Sequence, residues 1–219
     1  MSKDDQSGQL EQLGKLKKII AYYDANAKAY HQETVNLDLF HLYDEFLQYL
    51  PKGASILDVG CGAGRDFMAF SARGYRVIGV DASVAMCQLA RTNSKASADQ
   101  IINMPFEKVH WPERFDGIWA NASLVHLTEK QIAEVICSLM NSLRPKGVFY
   151  LSLKEKWDEE KGKDRLFLSY NQEKLIHILS SIPKIIFIKT WNSADLRAER
   201  KNSLWINTIF QKASETGYE

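Results

Sequence analysis

Two aspartates stand where a buried strand would ordinarily carry apolar residues. Asp58 falls inside the apolar run Ser55–Val59, within ILDVGCGAGRD (56–66), and Asp81 closes the run Tyr75–Val80. Between them lie Gly60, Gly62 and Gly64. An acid inside an apolar strand needs a partner for its charge. Glycines after a strand let a ligand approach the backbone, and a helix opening at Arg65 would present unpaired N–H groups to an anion. The pattern asks for a cation near Asp58 and a negative charge near the turn, and a carboxylate serves there as well as a phosphate.

Two familiar phosphate-binding turns do not fit. A dinucleotide fingerprint needs Gly-x-Gly-x-x-Gly, and Arg65 occupies the place of its third glycine. No Gly-Lys-Ser/Thr follows, so the turn is not a P-loop either. An amino-acid moiety offers both the ammonium and the carboxylate that the turn requests. Asp81 lies about 17 residues beyond the turn, where an acid in doubly wound folds accepts hydrogen bonds from ribose hydroxyls. A ligand with an amino acid at one end and a ribose at the other is S-adenosylmethionine.

The elements needed to position these residues are legible around them. Leu13–Tyr30 reads as a helix with Tyr23, Asn26, Ala27 and Tyr30 on one face, and Leu37–Leu50 as a second amphipathic helix. Strands at Ser55–Val59, Tyr75–Val80, Gln100–Met104, Phe115–Ala120 and Gly147–Leu153 alternate with helices at Arg65–Ser71, after Ser83 as N-cap, and after Thr128 as N-cap. Such alternation implies right-handed crossovers and a parallel sheet, giving a doubly wound α/β fold. Lys184–Trp191 and Ser203–Phe210 follow one another without a helix, which predicts an antiparallel pair at the end of the sheet. The expected organisation is a disordered start (1–12), one domain (13–212) entered through a helical segment (13–50), and a short tail (213–219).

Composition narrows the class. The chain has 219 residues, 45% hydrophobic and 25% charged, with formal net charge +1, so no global field draws it to nucleic acid or an anionic membrane. Cys61, Cys87 and Cys137 form neither a disulfide framework nor a metal-ligand spacing, so no metal is expected. The polar start has no apolar core of the signal-peptide kind, and no apolar run approaches the roughly 20 residues of a membrane span. A cytoplasmic protein is the expectation.

Taken in order, ILDVGCGAGRD, GYRVIGVDAS, FDGIWANASLVHL and LRPKGVFYLSLK resemble the successive motifs of class I S-adenosylmethionine-dependent methyltransferases, across about Tyr22 to Gln211. WANASLVHL, YLSLK and LRAERKNSLWIN narrow the likeness to small bacterial enzymes of the tellurite-resistance type. The resemblance implies a Rossmann-like, seven-stranded, mostly parallel sheet with an antiparallel last strand and helices on both faces. It implies that Gly60, Cys61, Gly62 and Gly64 wrap the methionine portion, Asp58 serves its ammonium and Asp81 holds the ribose. Ala82, Ser83 and Met86 would line the ribose and adenine site, and Met104, Pro105 and Phe106 the adenine, with Tyr23 and Tyr30 on a helix that lids the cofactor. For Met86, Phe106 and the two tyrosines, ordinary core packing is the competing reading, and for Asp66 a helix-dipole role.

The segment Asn121, Ala122, Ser123 then runs past the methyl group, with His126 near it. The Asn/Asp-Pro-Pro-aromatic motif of DNA-amino methyltransferases is absent, which disfavours methylation of base nitrogens. Methyl transfer from an activated sulfonium needs alignment and desolvation of the nucleophile. It needs a general base only if the acceptor arrives protonated, and histidine suits that task. Asn121 and His126 are thus the candidate catalytic residues, although a lone histidine also serves in packing. Lys154, Arg165, Tyr170, Arg197 and Trp205 are scattered in sequence, and if they converge on the pocket mouth they favour an anionic acceptor. The expected function is a methyltransferase acting on a small molecule, as monomer or homodimer, without nucleic-acid or membrane partners. Two alternatives stand beside it: an RNA or protein methyltransferase docking through KEKWDEEKGKDR, and a cofactor-binding regulator without catalysis.

Overall fold

The computed structural model describes residues 3–156, 168–200 and 202–214, with side chains from residue 14 onward except that of residue 198. Seven strands form one sheet: β1 (Ser55–Val59), β2 (Arg76–Asp81), β3 (Ile101–Asn103), β4 (Phe115–Asn121), β5 (Leu143–Lys156), β6 (Ile185–Ala194) and β7 (Leu204–Lys212). Their order is β3-β2-β1-β4-β5-β7-β6. The five strands from β3 to β5 are parallel, while β7 runs antiparallel to both β5 and β6. The predicted closing pair is therefore present, with β7 inserted between β5 and β6.

Alternation along each strand divides the apolar residues between the two faces. Leu57, Val59, Ile118, Ala120, Phe149 and Leu151 pack with the helices α5 (Glu129–Ser142) and α6 (Gln172–Ser180). Ile56, Trp119, Val148 and Tyr150 pack on the other face with α2 (Phe40–Leu47) and α3 (Arg65–Ala72). Trp119 and Tyr150 stack at 3.9 Å between ring centroids, so Trp119 is core. The remaining helix of the parallel half, α4 (Val84–Ser94), is capped by Ser83, whose hydroxyl accepts from the Met86 N–H. Thr128 and Gln131 form a reciprocal capping box at the start of α5.

Two boundaries and one helix differ from those expected. The first helix, α1, spans Lys3–Thr34, so residues 3–12 of the stretch read as a disordered start continue the helix. Its Lys, Gln, Glu and Leu residues are good helix formers even without an apolar face. Strand β5 begins at Leu143, because Phe115 pairs with Leu143 across an irregularity before the regular register resumes at Gly117–Val148. Helix α6 has no counterpart in the sequence reading, although Asn171 caps it by accepting from the Lys174 N–H.

Candidate active site

The carboxyl ends of the parallel strands, where ligands bind in open α/β sheets, open into a cavity of about 870 Å³. Helix α1 forms its roof. Of the residues singled out from the sequence, Tyr23, Tyr30, Gly60, Cys61, Gly62, Asp81, Ala82, Ser83, Met86, Pro105, Phe106, Asn121, Ala122 and His126 all line this cavity. Asp58, Gly64 and Met104 lie outside the lining.

The turn after β1 is held to β2. The Gly60 and Cys61 N–H groups both donate to the Val80 carbonyl, at 2.8 and 3.0 Å. The Gly62 N–H donates to Asp81 Oδ2 at 2.9 Å, and the Ser83 N–H to Oδ1 at 2.8 Å. Asp81 thus ties the glycine turn to the start of α4. Burial raises the Asp81 pKa and the two N–H donors oppose that rise. Gly60 has φ +70°, and a Cβ there would meet the Ser123 Cβ at 2.4 Å, so only glycine allows the end of β4 to approach the turn. Gly62 has φ +52°, and a Cβ added there would meet nothing within 4 Å, which leaves a backbone cradle facing open space.

Asp58 is 2% exposed behind this turn, and its Oδ2 has no hydrogen-bond partner among the described residues. Burial pushes its pKa well above the usual carboxylate range, the neighbouring Asp66 adds to the rise, and Arg65 opposes it. A buried acid with an open oxygen suits a cation bound on the far side of the turn. The cradle at Gly62 and the orphaned Asp58 oxygen are therefore consistent with an amino-acid moiety seated here.

Asp66 is the residue whose importance the sequence understates. It accepts from Tyr43 Oη at 2.6 Å, Arg65 Nε at 2.6 Å and Nη2 at 3.0 Å, Trp119 Nε1 at 2.8 Å and Asn121 Nδ2 at 3.2 Å. Burial alone would raise its pKa, but Arg65 together with the Tyr43 and Trp119 donors holds it below the ordinary value. Arg65, which broke the dinucleotide pattern, is a bidentate partner of this carboxylate and also lines the cavity. An acid in the first turn of α3 gives no signal of these partners, because three of them lie at least 23 residues away in sequence.

At the end of β4 the Asn121 side chain is fixed at both ends. Its Nδ2 donates to Asp66 and its Oδ1 accepts from Ser152 Oγ at 2.8 Å. Ala122 follows with φ +57°, a left-handed conformation that costs a non-glycine residue of order 1 kcal/mol or more. Its N–H donates to Ser152 Oγ at 2.8 Å. The strained residue turns the chain so that Asn121, Ser123 and His126 all reach the cavity. From the roof, Tyr23 Oη meets His126 Nε2 at 3.1 Å.

The opposite wall is cationic. Lys154, Asp195, Arg197, Arg200 and Trp205 line the cavity, so three of the five scattered candidates, Lys154, Arg197 and Trp205, converge there. Tyr170 is elsewhere, its hydroxyl donating to the Leu127 carbonyl. Arg165 and most of KEKWDEEKGKDR lie outside the described residues. Among the described residues no cluster of His, Cys, Asp and Glu could hold a metal, and no helix is long and apolar enough to cross a membrane.

Comparison with known proteins agrees with this geometry. Residues 56–147 match a family model described as a methyltransferase domain. The mitochondrial ubiquinone biosynthesis O-methyltransferase of Schizosaccharomyces pombe is 32% identical over 107 residues, 46% of this chain and 38% of that protein. The malonyl-[acyl-carrier protein] O-methyltransferase of Salmonella typhimurium is 32% identical over 96 residues, 43% and 37% of the two chains. The chain thus spans about two fifths of the length of these curated relatives. Among solved structures, the 1,6-didemethyltoxoflavin-N1-methyltransferase of Burkholderia thailandensis, with 1,6-didemethyltoxoflavin and S-adenosylhomocysteine bound, superposes with TM-score 0.71 at 18% identity. That superposition covers 98% of this chain and 92% of that one. The sheet order and the superposition give the chain the fold of these methyltransferase structures, and residues 56–147 carry the match to the methyltransferase domain model.

Proposed function

We propose that this protein transfers a methyl group from S-adenosylmethionine to a small-molecule acceptor. The observation that carries the reading is a continuous cavity that joins the Asp81-clamped glycine turn to Asn121 and His126. The backbone at Gly62 receives the methionine portion, with the buried charge of Asp58 behind it to balance the ammonium. Asp81 holds the ribose hydroxyls, and Met86, Pro105 and Phe106 flank the adenine. The cofactor supplies a methyl group already activated on a sulfonium, transferred in line as the carbon–sulfur electron pair leaves to sulfur.

The protein's own work is then alignment, desolvation and management of one proton. Asn121, fixed between Asp66 and Ser152, forms a rigid wall beside the transfer path. A protonated acceptor loses its proton to His126, which Tyr23 orients from the roof. Enclosure beneath α1 supports a small acceptor over a macromolecular one.

Isothermal titration tests the reading. S-adenosylhomocysteine should bind, and Asp81→Ala should weaken it about tenfold or more, the worth of a charge-assisted hydrogen bond or two. Unchanged affinity in that variant removes Asp81 from the ribose, and absence of binding by the intact protein removes the cofactor assignment.

A further inference from the structure

The glycine turn has little of its own backbone left to offer an anion. The Gly60 and Cys61 N–H groups donate to the Val80 carbonyl, the Gly62 N–H to Asp81, and the Gly64 N–H to the Cys61 carbonyl at 3.0 Å. These donors are spent within the protein. An amino-acid moiety seated at the turn brings a carboxylate as well as an ammonium. Asp58 answers the ammonium, and the carboxylate has to find donors among side chains.

The last turn of α1 holds one such donor at this end of the cavity, which His31, Gly62, Ala63 and Arg65 line together. Asn93 of α4 links His31 to the turn. Its Nδ2 donates to the Ala63 carbonyl at 3.2 Å and faces His31 Nε2 at 3.4 Å. A carbonyl can only accept, so the Asn93 atom facing Ala63 is the amide nitrogen rather than the oxygen. His31 Nε2 therefore meets an N–H and serves as acceptor, which puts the proton of the neutral imidazole on Nδ1. That Nδ1 is buried and has no hydrogen-bond partner. A buried donor without an acceptor is unfavourable, and a carboxylate bound at the turn would relieve it. Arg65 adds a second donor here. Its Nε and Nη2 are committed to Asp66, which leaves Nη1 for a ligand, and 23% of its side chain is exposed to receive one.

We propose that His31 is a cofactor-binding residue whose Nδ1–H, together with Nη1 of Arg65, receives the carboxylate of the methionine portion. The inference rests on the cofactor reading above. It gives the roof helix a hold on the amino-acid end of the cofactor, about two helical turns along α1 from Tyr23. The carboxylate then fastens the last turn of α1 to the turn after β1. Hydrogen bonds to a charged acceptor are the stronger kind, so the hold is selective for a ligand that carries this group.

Isothermal titration of the whole chain compares S-adenosylhomocysteine with the analogue that carries hydrogen in place of its α-carboxylate. The intact protein should bind S-adenosylhomocysteine about tenfold tighter or more, as expected for hydrogen bonds to a charged group. His31→Leu should weaken S-adenosylhomocysteine about tenfold. The analogue should stay within about twofold of its original affinity, which also reports that the variant is folded. His31→Asn, isosteric with His31→Leu, returns an amide N–H near the place of Nδ1 and should restore S-adenosylhomocysteine to within about threefold. If His31→Leu does not fold, His31→Phe takes its place. Equal affinity of the intact protein for the two ligands, a preference that survives in His31→Leu, a loss shared equally by both ligands, or His31→Asn no better than His31→Leu overturns the inference while leaving the cofactor reading intact. Failure of S-adenosylhomocysteine to bind the intact protein overturns both.

Discussion

Tyr23 on the roof helix and His126 on the loop after β4 meet hydroxyl to Nε2 at 3.1 Å, although 103 residues separate them in sequence. The contact joins the roof to the imidazole that lines the cavity after β4. A bound acceptor under α1 would therefore find the histidine already oriented. If His126 takes the acceptor's proton, His126→Ala should lower turnover about a hundredfold or more and spare cofactor affinity. Tyr23→Phe removes the hydroxyl that meets His126 and should cost about fivefold. Release of S-adenosylhomocysteine at saturating cofactor measures both. Equal turnover in the His126 variant would eliminate it as base.

The Arg65–Asp66 pair makes a second prediction, about stability. Asp66→Ala leaves the Arg65 charge and the donors of Tyr43, Trp119 and Asn121 without their shared acceptor, and should cost about 3–5 kcal/mol. Removing both charges with Arg65→Met and Asp66→Ala should recover part of that loss, as read by urea midpoints in a double-mutant cycle. The pH dependence has a definite sign. Because the folded Asp66 pKa lies below its unfolded value of about 3.9, its contribution is present above about pH 4. It is lost as pH falls through the folded value. Additive losses in the cycle would deny the coupling.

Asp58 should behave in the opposite way. Its pKa is raised by burial, so stability falls as pH rises from about 4 through the folded value, as a poorly compensated charge is forced into the interior. Asp58→Asn removes that charge and should stabilise the cofactor-free protein, by about 2–4 °C in Tm for each kcal/mol. If Asp58 balances the cofactor's ammonium, the same variant should also weaken S-adenosylmethionine. Stability gained with cofactor affinity lost marks a residue kept for binding. A loss of both would make Asp58 structural.

These three sites also show what a sequence can and cannot disclose. Strand β1, the glycine turn and the Ser83 and Thr128 caps are readable because each is a local pattern of spacing and residue type. The closing antiparallel pair is readable because two apolar runs follow one another without a helix. The Asp66 hub is not, since its partners come from α2, β4 and the neighbouring Arg65, and only the tertiary fold brings them together. The left-handed Ala122 is hidden for the same reason: nothing local calls for a positive φ at an alanine, and the Ser152 hydroxyl that holds it lies 30 residues on. The cationic wall is half visible, as scattered Lys154, Arg197 and Trp205 in search of a convergence. Asp195, which organises them, carries no distinguishing signal within the polar stretch SADLRAERKN.

The roof has a latch besides Tyr23. Asp24 Oδ1 accepts from Ser83 Oγ at 2.6 Å and from the Ala85 N–H at 3.1 Å, so a residue of α1 helps cap α4. Its carboxylate sits at the positive end of that helix, where a negative charge is favourable. Asp24→Ala removes both contacts but leaves Ser83 to cap α4 through the Met86 N–H, so α4 itself should persist. The cost, about 1 kcal/mol, should fall on the docking of α1. Hydrogen exchange should therefore quicken in α1 with the sheet strands unchanged. If α1 covers the cofactor, S-adenosylhomocysteine should dissociate about fivefold faster. Faster exchange in β1 and β4 as well would mean that the latch supports the whole fold, and unchanged dissociation would mean that α1 does not gate the cofactor.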